Sequence, residues 1–577
     1  MSILFDAEDK SLHDILFGKE KYKIPRYQRP YSWTKDQVAD LWNDLKDEET
    51  SFLGSFVFNY EFIEKDNFIE VIDGQQRLIT FTILSAVLRD LYRELKDEKK
   101  ADLTQTSIIE FRHNITGEPT YRLKCGDTLS RFFEKNIQSN DAQISISKPY
   151  RKEEKRIKEN YEYLREQIIE ELDQIEEKSK KIQYLDSLKK KLADLRIIWI
   201  RIDNDNDAYS IFETVNARGA DLTAADLLKN YLFSKIHNKE EGIDSAKDAW
   251  LNIEDNVEEA KGLSVSKFIR YHWLSKYSFV SEKNLYKEIK KTITDPESFL
   301  SELEKSSEFY FKMTSDGVNA KTWQEEVSDR KSGLKIFEAL QGLKIMGITQ
   351  CYPLLLCLLA NREKIGMDLS STFKTIENYH FVYSAICKQP GNKVEKLYFQ
   401  TARRIQEALQ LKPQSKVLKG VNSALSEFRN KLEIPPEEFF IEKFMEVEYK
   451  NYPLVVYILS NIEKAKGGTD EQIVNFSKVN IEHILPKDPT QWKLTKNEIK
   501  EYVDNLGNLT LISERINGSM GNLPLKQKIE FIKKSKLNIN KELVKKIEQN
   551  KGKWGKKEIA DRQHEIAEFA HDTVWEI

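Results

Sequence analysis

Hydrophobic positions change their period along the chain, and the changes divide it into parts. Phe52–Phe58 (FLGSFVF) and Phe68–Ile72 (FIEVI) are dense in Phe, Val and Ile around an acidic turn, which predicts a pair of strands. From Leu78 the run LITFTILSAVLRDLYREL has apolar residues at helical spacing. Arg151 to Asp194 is heavily charged with periodic Ile, Leu and Tyr, predicting one or two exposed helices, as in a helical hairpin. Arg196–Ile202 (RIIWIRI) is a β-branched run expected to return to the N-terminal sheet. DLTAADLLKNYLF then begins a helix at a cap-like Asp221 or Thr223. From about Lys239 to Phe440 almost only helical periodicity is found, and the prolines of IPPEEFF near Pro435 mark a boundary. The pattern then turns to strand, loop, strand and helix.

Length and composition narrow the class. A chain of 577 residues exceeds one hydrophobic core, and 40% apolar with 32% charged residues is the balance of a globular protein. The net charge is only −3, so any nucleic-acid surface must be local. Cys125, Cys351, Cys357 and Cys387 form no CxxC pair and read as buried free thiols of a reducing compartment. MSILFDAEDK lacks a signal-peptide pattern, and the apolar run YPLLLCLLA is about half of what a bilayer requires. The expectation is a cytoplasmic protein without a membrane partner.

The C-terminal region carries the sharpest candidate chemistry. In VNIEHILPKDPTQW, Val479 to Leu485 reads as a short strand with Glu482 and His483 near its end. In VDNLGNLTLISERINGSMGNLPLKQK, Asn508 to Ser513 reads as a second strand, and a helix starting near Ser513 or Glu514 would place Asn517 about one turn in. Metal-assisted cleavage of a phosphodiester needs a base to deprotonate water and an oxygen-ligated divalent ion to stabilise developing charge. Histidine suits the first task, and a carboxylate with an amide oxygen suits Mg²⁺. Adjacent strand residues point to opposite faces, so Glu482 and His483 reach one centre only where the strand bends, and Pro486 is placed to end it. Read alone, His483 favours a loop histidine and the asparagines turn residues; the joint pattern reverses this. Between Lys526 and Lys557 stand twelve lysines against three glutamates, a local +9 suited to DNA phosphates or to a solvated helix.

EHILP, NLGNLTLI, an asparagine nine positions after Asn508, and GNLPLKQK together resemble the HNH-related endonuclease domain of GmrSD-type restriction enzymes. That resemblance implies His483 as general base, Asn508 as the residue holding the histidine-bearing loop, and Glu482 and Asn517 as ligands of Mg²⁺ (or Mn²⁺), directly or through water. Asn517 stands where the final histidine of the HNH name would be, and Glu482 where many relatives carry Asp. Lys526, Lys528, Lys533 and Lys534 are the candidate contacts to the DNA backbone. Trp554, Arg562 and Trp575 match the family's ending and read as packing residues.

Three N-terminal motifs mix structural and functional groups: IPRYQRPYSW (Ile24–Trp33), VIDGQQRLITF (Val71–Phe81) and FETVNARGADLTAADLLKNYLF (Phe212–Phe233). In the second, Asp73 and Gly74 form a turn, and Gln75, Gln76 and Arg77 open a helix whose backbone N–H groups make a phosphate cradle. In the first, Arg26, Gln28 and Arg29 interleave with Tyr27, Tyr31 and Trp33, a mixture suited to a nucleotide or a DNA backbone. In the third, Asn216 and Arg218 belong to a polar turn before a helix. No Walker P-loop is present. In this order the motifs resemble the N-terminal domain of GmrSD-like proteins, related to the ParB/sulfiredoxin-like fold. The resemblance implies NTP binding and hydrolysis at the DGQQR segment, and a role in sensing modified DNA.

The resulting expectation is a multidomain α+β protein. Residues 1–238 form a ParB/sulfiredoxin-like α/β nucleotide-binding and DNA-sensing domain, 239–440 an all-α domain, and 441–577 a ββα-metal (HNH/His-Me finger) nuclease. Its function would be NTP-binding, modification-dependent cleavage of phage DNA, with self-association into a homo-oligomer left open. Two rivals belong to other classes: a nucleotide-dependent DNA-binding regulator with a silent nuclease, and an RNA-cleaving toxin.

Overall fold

The computed structural model describes residues 6–577 other than 26–27, 29, 48–51, 62, 64–66, 113–118, 143–147, 150, 204–222, 237–244, 261–263, 328, 468–478 and 514–519. Two compact units form: Met1–Trp250 with Lys283–Leu300, and Leu251–Glu282 with Ser301–Ile577.

The first unit is built on a mixed sheet. Its strands are β1 (Asp6–Ser11), β2 (Tyr22–Lys23), β3 (Phe52–Asn59), β4 (Ile69–Asp73), β7 (Leu123–Lys124) and β8 (Arg196–Ile202), in the order β1-β8-β3-β4-β2-β7. Two further strands, β5 (Glu110–Arg112) and β6 (Pro119–Tyr121), form a separate antiparallel pair. The expected pair is present, with β3 antiparallel to β4 and Phe58 opposite Val71. β8 returns to the sheet between β1 and β3, and its alternation buries Ile197 and Trp199, with Ile202 buried on the other face at the strand's end.

The helix Gln75–Glu94 leaves β4 directly and is buried on nearly every face. It packs with the helices Lys152–Asp173 and Lys178–Asp194. These are the two expected helices, but they are not simply exposed. Ile157, Tyr161, Leu164, Ile168 and Leu172 line one face of the first, at the helical period that a surface helix uses to reach a core. Thr223 accepts a hydrogen bond from the Asp226 backbone N–H and caps the helix Ala224–Lys235; Asp221 lies outside the described residues.

In the second unit, the described residues from 301 to 467 are helices and their connections. The prolines near Pro435 fall between the helices Gln414–Asn430 and Glu437–Phe444. One apolar core takes Phe381, Val382 and Ile386 from one side of this point and Val455, Leu509 and Trp575 from the other. Trp575 stacks on Phe381 at 3.7 Å, and its indole N–H donates to the Tyr457 hydroxyl. The last two strands, β9 (Val479–His483) and β10 (Leu509–Ser513), pair antiparallel, with Leu509 opposite His483. All four cysteines are buried free thiols. Among the described residues, no helix is long and apolar enough to cross a membrane.

Candidate functional sites

The C-terminal site is assembled where β9 ends. His483 is its last residue, and the next one, Ile484, donates its backbone N–H to the Asn508 carbonyl at 2.9 Å. The buried Asn508 side chain then works as a clamp. Its Oδ1 accepts from the Leu485 N–H at 2.9 Å and the Trp554 indole at 3.1 Å. Its Nδ2 donates to the carbonyls of Leu485 at 2.9 Å and Val503 at 2.7 Å. Four hydrogen bonds from one amide fix the chain leaving His483 against the turn before β10. No other side chain of this size offers two donors and two acceptors.

That turn is gripped from below by the helix Lys556–Phe569. The Arg562 guanidinium donates to the carbonyls of Gly507 and Leu509 at 2.7 and 2.8 Å. Gln563 accepts from the Gly507 N–H at 2.9 Å and donates to the carbonyls of Phe444 and Met445. Gly507 is required by proximity, since a Cβ there would lie 2.1 Å from the Ile559 carbonyl oxygen.

Glu482 and His483 take opposite directions, as strand neighbours must. Glu482 meets Lys528, whose ammonium donates to Glu482 Oε1 at 2.5 Å and to the His483 carbonyl at 2.7 Å. The Lys528 side chain is 1% exposed. Burial raises the Glu482 pKa against the pull of Lys528, and burial lowers that of Lys528 against the pull of Glu482. On the other side, His483 Nε2 lies 2.8 Å from Asp504 Oδ1, which also meets the Lys487 ammonium at 3.0 Å. The Tyr449 ring flanks the imidazole at 4.7 Å, and its backbone N–H donates to the Asp504 carbonyl at 2.7 Å. Burial lowers the His483 pKa, with Asp504 opposing it. Burial works to raise the Asp504 pKa, but the bonds from His483 and Lys487 outweigh it and hold the carboxyl below its ordinary value.

Of the residues singled out in the sequence, His483 and Asn508 come together at one strand end. Glu482 lies beside them but faces away from His483, so the two do not meet in one centre, and Asn517 lies outside the described residues. The candidate backbone contacts divide. Lys526 is exposed, Lys533 is exposed and pairs with Glu530 and Glu548, and Lys534 is exposed with its ammonium over the Phe531 ring. Lys528 differs: it is fully buried as the counter-ion of Glu482, so its charge is not presented to a phosphate. Asp504 escaped notice in the sequence, although it stands four positions before Asn508 in the quoted VDNLGN segment.

The first two N-terminal motifs are sewn to one another. Gly74 sits at φ +95°, and a Cβ there would lie 2.3 Å from the Phe56 ring. This turn launches Gln75 and Gln76 into the helix Gln75–Glu94. The Gln76 amide accepts from the Ser32 N–H at 2.7 Å and donates to the Pro30 carbonyl at 3.2 Å. Gln28 donates to the Ile72 carbonyl at 2.7 Å. The Tyr31 hydroxyl meets Thr80 at 2.8 Å and accepts from Asn160 at 3.0 Å. The first and second motifs thus share one hydrogen-bond network.

Arg77 is turned inward onto β3. It donates to the carbonyls of Leu53 and Ser55, each at 2.6 Å, and lies 3.4 Å from Asp73. The pairing of β3 with β8 is irregular between Phe52 and Ser55, and the guanidinium serves carbonyls of that stretch. Its Cζ lies 4.4 Å from the Phe56 ring centre, and burial lowers its pKa. Arg26, Tyr27, Arg29, Asn216 and Arg218 lie outside the described residues.

Comparison with known proteins places both ends of the chain. Residues 12–233 match the model of the GmrSD restriction endonuclease N-terminal domain. Residues 434–569 match that of the C-terminal domain of GmrSD restriction endonucleases. No individual curated protein matches the chain. The two matches occur in the family's order, cover more than half of the sequence, and include both hydrogen-bonded sites described above. The chain belongs to the GmrSD family of restriction endonucleases.

Proposed function

We propose that this chain is a cytoplasmic, modification-dependent DNA endonuclease of phage defence in which His483 removes a proton from the water that attacks the scissile phosphate. The observation that carries the reading is the end of β9. There His483 is flanked by Tyr449 and bonded to Asp504, and the chain leaving it is clamped by Asn508. In this reading 441–577 is an HNH-type nuclease and 239–440 a helical domain. A ParB/sulfiredoxin-like domain, 1–238, senses nucleotide and modified DNA.

Glu482 and Asn517 would hold Mg²⁺ (or Mn²⁺). By donor type a carboxylate and an amide oxygen suit a hard divalent cation, but the Glu482 carboxylate is taken by the buried Lys528 and faces away from His483, so Glu482 would fit such an ion only where Lys528 is displaced. Such an ion acts as a Lewis acid on the phosphate. The protein's own contribution is to hold His483 still, with Asn508 fixing the backbone and Asp504 the ring. Exposed Lys526, Lys533 and Lys534 bring the DNA backbone alongside.

For the nucleotide, the supporting feature is the start of the helix Gln75–Glu94, where the buried Gln75 Oε1 has no hydrogen-bond partner among the described residues. Phosphate there would meet backbone N–H groups. The test is cleavage of unmodified, methylated, glucosylated and phosphorothioate DNA, and of RNA, each with and without Mg²⁺ and NTP. Metal-dependent cutting of one modified DNA is expected. Cleavage of RNA alone, or of no substrate, would overturn the reading.

A further inference from the structure

The imidazole of His483 has two nitrogens, and only one can carry the lone pair that accepts a proton. Nε2 is 2.8 Å from Asp504 Oδ1. An ionised carboxylate is an acceptor only, so the hydrogen of a neutral imidazole must lie on Nε2, donated to Asp504. The carboxylate is itself fixed, by the Lys487 ammonium at 3.0 Å and by the Tyr449 N–H on its own backbone carbonyl. Lys487 in turn lies 4.4 Å from the centre of the Tyr449 ring, which is the ring that flanks His483. Three side chains, Asp504, Lys487 and Tyr449, thus brace a single imidazole orientation.

From this geometry we propose that Asp504 is the positioning residue of the nuclease site, holding His483 in the tautomer whose unprotonated nitrogen is Nδ1, the atom that takes the proton from water. The inference rests on the nuclease reading for its chemistry, but not for the ring geometry. When His483 takes up the proton it becomes an imidazolium, with a hydrogen on each nitrogen. The Asp504 carboxylate then neighbours the charge that forms, as well as fixing the ring beforehand. Lys487, which is half-exposed, keeps the carboxylate aimed at the ring when the site is at rest.

The test combines kinetics with ¹⁵N spectra of the His483 imidazole, recorded at an alkaline pH where the ring is neutral. Full-length wild type, Asp504→Ala, Asp504→Asn and His483→Ala are compared. Wild type should show hydrogen on Nε2. Asp504→Ala should lose that preference and lower kcat by at least about tenfold with KM unchanged. Asp504→Asn, whose amide can turn its NH2 group to Nε2, should move the hydrogen to Nδ1 and lower kcat at least as far as the alanine variant. Unchanged thermal melting separates these effects from unfolding, and the asparagine variant keeps the test open if alanine destabilises the turn. An Asp504→Ala protein with the wild-type tautomer, or with wild-type kcat, overturns the proposal. A wild-type cleavage rate in His483→Ala overturns the nuclease reading instead, and leaves the spectral result to stand on its own.

Discussion

Lys528 and Glu482 form an ion pair in which the lysine side chain is 1% exposed and the glutamate 11%. Removing one member of such a pair leaves a charge without water and without a partner, which costs about 3–5 kcal/mol. Lys528→Met should therefore destabilise the protein by about that amount. Lys528→Met combined with Glu482→Gln should recover most of the loss. Urea unfolding of the two singles and the double is the measurement. Equal destabilisation in the single and the double variant would mean that Lys528 matters for packing rather than charge.

His483→Ala should lower DNA cleavage by about 10²–10⁴-fold, since it removes the proposed base. Its melting temperature should stay close to that of wild type, because the imidazole contributes one hydrogen bond at the rim of the site. Asn508→Ala should lower both activity and stability. It leaves two backbone carbonyls, one backbone N–H and the Trp554 indole without a partner in a buried turn. Rate and melting measured together distinguish the two behaviours, and full stability in Asn508→Ala would contradict the clamp.

Replacing Lys526, Lys533 and Lys534 together by Gln should weaken DNA binding and flatten its salt dependence, by about 0.9 in the log–log slope for each phosphate no longer neutralised. All three are exposed, so the fold should be unaffected. A slope that does not move places the DNA on another surface.

Arg77→Ala should first of all cost stability. The guanidinium serves the carbonyls of Leu53 and Ser55 beside an irregularity in β3, and hydrogen bonds from a charged donor contribute about 1.5–3 kcal/mol. Arg77→Lys should recover only part of this, because one ammonium does not reproduce the planar fork. If either variant melts like wild type but fails to hydrolyse NTP, Arg77 acts on the nucleotide directly.

His380 is fully buried, with Nδ1 meeting Ser384 and Nε2 the Tyr398 hydroxyl, each at 2.8 Å. Burial lowers its pKa from 6.5 to about 3. In the unfolded chain it takes up a proton below its ordinary pKa, whereas in the folded chain it stays neutral until far lower pH. Its contribution is therefore present above 6.5 and lost as pH falls towards 3. Between about pH 7 and about pH 5 the loss should be about 2 kcal/mol. His380→Gln should be less stable at neutral pH, yet lose less on acidification. An identical fall in both proteins would remove His380 from the account of acid sensitivity.

Periodicity carried much of the fold. The strands β3, β4, β8, β9 and β10 and the helix after Gly74 all follow from local patterns, because each buries a face whose spacing is written in its own residues. The pairing of the DGQQR and PRYQRP motifs was not legible, because it depends on Gln28 and Gln76 reaching backbone atoms more than forty positions away. Lys528 was misread for a related reason. In a segment of twelve lysines, charge alone does not say which one the fold turns inward, and only the position of Glu482 across the turn decides it. Asp504 needed the turn itself, since its meeting with His483 joins residues twenty-one apart.

The grip of Arg562 and Gln563 on the turn at Gly507 has a consequence for how the nuclease comes into being. Both strands of the site are made before the helix Lys556–Phe569 that holds their connection, so a nascent chain carries His483 for some time without the donors that fix its clamp. Asn508 can take its four bonds in full only when Trp554 has also been added. A polypeptide released early, or cut within the lysine-rich stretch, would retain His483 and lack the frame. The strand end that carries His483 thus gains its frame only when the C-terminal residues have been made.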